Sequence, residues 1–205
     1  VTTESLQVVD GRPGLRSLVD RAVGLDASAS ARFRQLDEQS VDVFITTPFQ
    51  VVASRRITGR ASRDGAVVAA TDLLDALHAD SETIGPARDP NWPGALPPAS
   101  GFAIVDTLPV QVVRELADKG QALARQFSGP LGPPASLLDQ AVITLDGTVD
   151  IPMRMIFACT SLGLIPGFSA PIDIPRHLRV STTGRWVRID APFGSVYRST
   201  SLSLF

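Results

Sequence analysis

With 205 residues, 44% of them hydrophobic and 20% charged, and a formal net charge of −2, the composition is that of a folded globular protein; disorder, fibrous repeats and a strongly basic polyanion binder are excluded. A compact form of this length buries roughly 70% of the surface it exposes unfolded, so a sizeable core is available. The single cysteine, Cys159, excludes an internal disulfide, and the apolar window at residues 155–165 is too short to span a bilayer. The opening VTTESLQVVDGRPG has neither a basic start nor an apolar signal core, so a cytoplasmic protein without membrane contact is expected.

Leu15, Leu18, Val19, Ala22 and Val23 share one helical stripe, with Arg16, Asp20 and Arg21 outside it, which predicts an amphipathic helix over 15–23. ARFRQL, VDVFITT and FQVVASRRI are β-rich runs separated by turn or proline positions and predict an antiparallel meander. AVVAA adds a strand, and Thr71 is placed to cap a helix DLLDALHA. Residues 84–101, IGPARDPNWPGALPPASG, hold five prolines and three glycines, which disfavours both helix and central strand. The expected organisation is an N-terminal domain 1–84, a stiff Pro/Gly-rich linker 85–101 whose Trp92 docks on a domain surface, and a C-terminal domain 102–205.

After the linker GFAIV reads as a strand. Asp106 or Thr107 with Pro109 signals the start of a helix PVQVVRELADKGQALARQF, whose Val113, Leu116, Gly120, Leu123 and Phe127 recur at helical steps. GPLGPP breaks the chain, LLDQAVITL fits a short helix or a strand, and Pro152 suits the first turn of MRMIFACTSLGL, a segment apolar all round and therefore expected to be buried. A hairpin around TTGR closes the domain. Period-two alternation puts Leu178, Val180, Val187 and Ile189 on its core face and His177, Arg179, Ser181, Trp186, Arg188 and Asp190 on the other. The expected class is α+β: two small mixed domains, an N-terminal antiparallel meander with helices and a C-terminal helical domain ending in a hairpin, a topology that resembles a winged helix.

Three segments, TTPFQVVASRRITG, PASLLDQAVITL and GRWVRIDAPFGSVYR, resemble uncharacterised hypothetical proteins of high-GC actinobacteria. Lys119 as the one lysine among nineteen basic residues fits that bias. The resemblance implies no activity and assigns no site residue.

Two basic clusters are candidates for contact. Arg179, Arg185, Trp186 and Arg188 form an interaction or nucleic-acid face. The helix that would have to read bases offers only Arg154, so DNA binding is disfavoured, and Arg179 and Arg188 are expected to flank Trp186, each contact contributing roughly 0.5–1 kcal/mol. Arg55, Arg56, Arg60 and Arg63 around an expected turn form either an anion patch or, preferably, a solvated hairpin end paired with Asp64 and nearby acids.

No catalytic residue, metal ligand or cofactor is expected. Cys159 lies in an apolar run where a thiol is inert, and CxxC, HExxH, EF-hand, P-loop and dinucleotide spacings are missing. DGTVD at 146–150 reads as a turn and helix cap. A hydrolase or transferase would need His177 beside Asp173 or Asp190, and His78 reads as a helix-end residue. The leading expectation is a non-enzymatic protein acting through protein contacts, with a second copy or another protein as partner, anchored by Phe49, Trp92, Phe168 and Trp186.

Overall fold

A computed structural model describes residues 2–130 and 132–200. The chain divides into two compact units, Val1–Pro48 with Val52–Leu96, and Phe49–Val51 with Pro97–Phe205.

In the first unit β1 (Thr3–Asp10) leads into α1 (Arg12–Leu25), followed by β2 (Ser30–Gln35), β3 (Ser40–Thr46), β4 (Val52–Ala61), β5 (Val67–Ala69), α2 (Ala70–His78) and β6 (Thr83–Pro86). Every pairing is antiparallel, in the order β5-β2-β3-β4-β1-β6. The apolar stripe of α1 falls as its spacing requires: Leu15, Leu18, Val19 and Ala22 are buried, each large side chain contributing about 1.5–3 kcal/mol. Both helices pack on the sheet and on each other. Three expectations change. β1 was not foreseen. β4 runs unbroken through Arg55, Arg56 and Arg60, where a turn was expected, because Ile57, Gly59 and Ala61 alternate as its buried positions. And Ala69, not Thr71, precedes the first turn of α2, without a side-chain cap.

The second unit runs β7 (Ala103–Pro109), α3 (Val110–Phe127), α4 (Ala135–Asp139), β8 (Ala141–Leu145), β9 (Val149–Pro152), α5 (Met153–Ser161), β10 (His177–Thr183), β11 (Trp186–Ala191) and β12 (Gly194–Ser199). Its sheet has the antiparallel order β12-β11-β10-β7, and β8 and β9 form a separate hairpin. Strand passes directly into helix at Pro109 and again at Pro152, where proline ends pairing and starts the helical turn. α3 and α5 approach closely at Gly120, where a Cβ would lie 2.7 Å from the Met153 thioether.

The expected α+β class with a helical C-terminal domain is overturned, because antiparallel sheet dominates and helices are few. LLDQAVITL divides between α4 and β8, β7 extends through Asp106 and Thr107 to Pro109, and the terminal hairpin gains a third strand, β12. The winged-helix reading fails with it. Met153 through Cys159 are all buried, Arg154 included at 5% exposure, so α5 cannot enter a groove. Arg154 instead ties the interior of the unit: Nε and Nη2 donate to Asp139 Oδ1, and Nη1 donates to the Phe49 carbonyl at 2.6 Å and to Gln50 Oε1 at 3.3 Å. Among the described residues no helix is long and apolar enough to cross a membrane.

Candidate functional site

β7 is the last strand of its sheet. It pairs with β10 on one side, and among the described residues no strand pairs with the other. Ala103, Ile104, Asp106, Thr107 and Pro109 are exposed, and the Ile104 side chain stands in water at 63% exposure. An open edge of this kind offers a row of backbone donors and acceptors beside an apolar side chain.

The face next to that edge is built by cross-strand register. Ile104 lies opposite Ser181, Ser181 opposite Arg188, and Arg188 opposite Tyr197. The Arg188 guanidinium lies over the Phe102 ring at 4.3 Å, and Phe102 meets Tyr197 edge-on at 6.0 Å. Ser181 is fully buried, and its Oγ has no hydrogen-bond partner among the described residues. Arg188 Nε is 2.9 Å from Asp190 Oδ2, close enough for charge attraction, although its N–H is not aimed for a hydrogen bond. Asp190 Oδ1 accepts from the Ser195 hydroxyl.

The structure thus gathers Arg179, Arg185, Trp186 and Arg188 on one hairpin. Arg179 is exposed opposite Asp190 and Thr107. Gly184, at φ +51°, and Arg185 make the two-residue turn, where the Arg185 carbonyl accepts from the Thr200 backbone and hydroxyl. Trp186 is half-buried between Thr183 and Ser199. The ring beneath Arg188 is Phe102 rather than the expected Trp186.

The other arginines are dispersed along and beyond β4. Arg55 is half-buried against α1, its guanidinium filling the space where Gly14 has no Cβ, and burial lowers its pKa. Arg56 grips its cross-strand partner Asp42 with Nε at 2.8 Å and Nη2 at 3.1 Å. Arg60 is exposed opposite Gln7. Arg63 donates to buried Glu4 at 2.8 Å and to Asp89 at 2.7 Å, contacts that raise its pKa. Asp64, the expected partner of this cluster, accepts from the Gln35 backbone instead.

Of the groups with catalytic potential, Cys159 is fully buried and desolvation pushes its thiol up to about 12. His177 is exposed opposite Pro109, while Asp190 is held by Ser195. His78 lines a polar recess of about 240 Å³ with Pro13, Arg16, Ser17 and Asp20. Among the described residues no three His, Cys, Asp or Glu side chains gather as metal ligands. DGTVD is the β8–β9 turn, with Asp146 and Gly147 at positive φ, and α5 takes no side-chain cap from it. Of the expected aromatic anchors, Trp92 is buried with Arg32 5.9 Å from its ring centroid, Phe49 meets Phe157 at 6.2 Å, and Phe168 is 90% exposed.

Sequence reasoning did not single out the C-terminal half of α3. It forms a ridge between two recesses: one of about 370 Å³ lined by Phe49, Ala124, Pro133 and Phe157, and one of about 610 Å³ lined by Leu123, Phe127, Pro134 and Leu137. Leu123 and Phe127 belong to the apolar stripe that predicted the helix, yet remain 41% and 66% exposed.

Residues 97–203 match the family described as Domain of unknown function (DUF8185), and the chain belongs to that family. Residues 2–94 match a second family, Domain of unknown function (DUF8010). None of the curated proteins matches in sequence. The fold is that of DNA polymerase sliding clamps. The clamp of Bacillus subtilis superposes with TM-score 0.58 at 8% identity, over 100% of this chain and 66% of that one. The Pseudomonas aeruginosa clamp gives 0.56 at 11% identity, over 100% and 65%. The Bartonella birtlesii clamp, described as DNA polymerase III subunit beta bound to griselimycin, gives 0.56 at 13% identity, over 98% and 66%. The chain spans slightly under two thirds of each clamp's length, and at these identities the likeness is one of fold.

Proposed function

We propose that this member of the DUF8185 family is a cytoplasmic actinobacterial scaffold that acts through protein contacts rather than catalysis, and that its first partner is a second copy of itself. The open edge of β7 carries this reading: exposed backbone along Ala103–Thr107, with Ile104 projecting beside it, fits an added antiparallel strand. The clamp-like fold supports it, since the neighbours are named as clamps and as a polymerase subunit. Arg179, Arg185, Trp186 and Arg188 form the rim of that contact, and residues 85–101 link the two domains, 1–84 and 102–205. Arg55, Arg56 and Arg63 serve the sheet of the first unit and are not assigned to a ligand.

Backbone hydrogen exchange across a protein concentration series tests the edge. Amides of residues 103–107 are expected to gain protection as concentration rises. Exchange in β7 that is independent of concentration contradicts the proposal.

A further inference from the structure

We propose a second self-contact, in which the loop 165–176 of one copy docks Phe168 and Ile172 into the recess beside Leu123 and Phe127 of the next copy. It extends the scaffold reading but uses a different surface from the β7 edge.

The loop displays Phe168 and Ile172 at 90% and 99% exposure, yet it is braced. The Ala170 backbone donates to Gly167 at 3.2 Å and the Ile174 backbone to Pro171 at 3.2 Å. Arg176 Nη2 donates to the Ala170 carbonyl at 2.8 Å, and Nη1 reaches the Ile174 carbonyl at 3.4 Å. Pro166, Pro171 and Pro175 restrict the same stretch. Below it, the Arg114 guanidinium lies 4.5 Å from the Phe168 ring centroid, and the Val110 backbone donates to the Arg176 carbonyl, which fixes the loop at the N-terminal end of α3. Two large apolar side chains held outward on a preshaped loop need little further ordering to bind.

Their receptor is at the other end of the same helix. Lys119, Leu123 and Phe127 are spaced by four and share one face of α3, and Leu123 and Phe127 line the recess of about 610 Å³ with Pro134 and Leu137. From Arg114 to Phe127 the helix rises about 20 Å at 1.5 Å per residue, so a copy does not fill its own recess with its own loop. A second copy does so head to tail, a heterologous contact that propagates into a ring or filament. Charge sets the register. Asp173 follows Ile172, Lys119 lies one turn below Leu123, and neither side chain has a hydrogen bond or ion pair among the described residues.

Complementation tests the pairing, with Ile104→Lys in every variant so that the β7 edge is blocked throughout. Sedimentation velocity should show self-association that Ile172→Asp and Leu123→Asp each weaken roughly tenfold or more, both sites being surface positions. Mixing the two should restore a one-to-one heterodimer and nothing larger, because only one intact loop meets one intact recess. As a second route, Asp173→Lys and Lys119→Glu should each weaken association and restore it when combined. A mixture that stays monomeric, or single variants that associate as their parent does, overturns the inference. Association in the parent chain that Ile104→Lys abolishes outright overturns it too and leaves the edge reading standing, whereas association lost only through Ile172→Asp does the reverse.

Discussion

The end strands β5, in the first unit, and β7, in the second, are finished differently. At the end of the first unit's sheet, Val67 of β5 donates its N–H to Asp89 Oδ1 at 3.0 Å and accepts from the Arg88 N–H at 2.8 Å, and Asp89 is in turn held by Arg63. That strand is sealed and largely buried. At the end of the second unit's sheet, β7 has no such cover among the described residues, where Asp106 accepts from the neighbouring Thr107 N–H. The difference extends beyond the edges. In the first unit Asp26, Asp37 and Asp64 also accept from backbone N–H groups, at Ser28, Gln39 and Gln35. Much of the acid excess of residues 1–90, thirteen acids against ten arginines, therefore closes turns and edges and is not the mark of a ligand site. The proposed pairing surface is thus an edge that lacks the closure given to β5.

Substitutions at these carboxylates test the contrast. Asp89→Ala should cost about 2 kcal/mol in urea unfolding, because it strands the buried Val67 N–H and releases Arg63. Asp64→Ala should cost about 1 kcal/mol, since the Gln35 N–H it serves is closer to solvent. Asp37 has its pKa lowered mainly by the Gln39 N–H, with Ser40 assisting. A carboxylate depressed in the folded state contributes stability that is present above its unfolded pKa and is lost as pH falls through the folded value. Asp37→Asn should therefore flatten the stability profile below about pH 4 and little else, the group being exposed. Asp106→Ala in the second unit should change stability by less than about 0.5 kcal/mol. A large loss there would show that the β7 edge is sealed after all.

Sequence reasoning reached some of these elements and missed others for physical reasons. The stripe of α1, the all-round apolarity of α5 and the two faces of the β10–β11 hairpin were legible because local sequence decides them, as the burial of Leu178, Val180, Val187 and Ile189 shows for the hairpin. β12 lies beyond the expected hairpin around TTGR: Pro192 and Phe193 form a second two-residue turn that leads into a further strand. Asp106, Thr107 and Pro109 carry helix-start chemistry, yet pairing with β10 keeps the chain extended to Pro109. The arginines of β4 looked like a loop because Gly59 and the polar positions mask an alternation that only sheet neighbours reveal. Nothing local to Arg188 announces Phe102, a partner remote in sequence. The helical spacing of Leu123 and Phe127 predicted the helix, yet both side chains stand exposed. Spacing fixes the face of a helix, not whether another element covers it.

Sedimentation velocity of the unmodified chain and of Ile104→Lys, compared over one concentration series, tests the open edge most directly. The unmodified chain should associate as concentration rises, and Ile104→Lys should weaken that association while melting at the same temperature. A chain that stays monomeric throughout, or a lysine variant that associates as well as its parent, would contradict the assignment of β7 as the pairing surface.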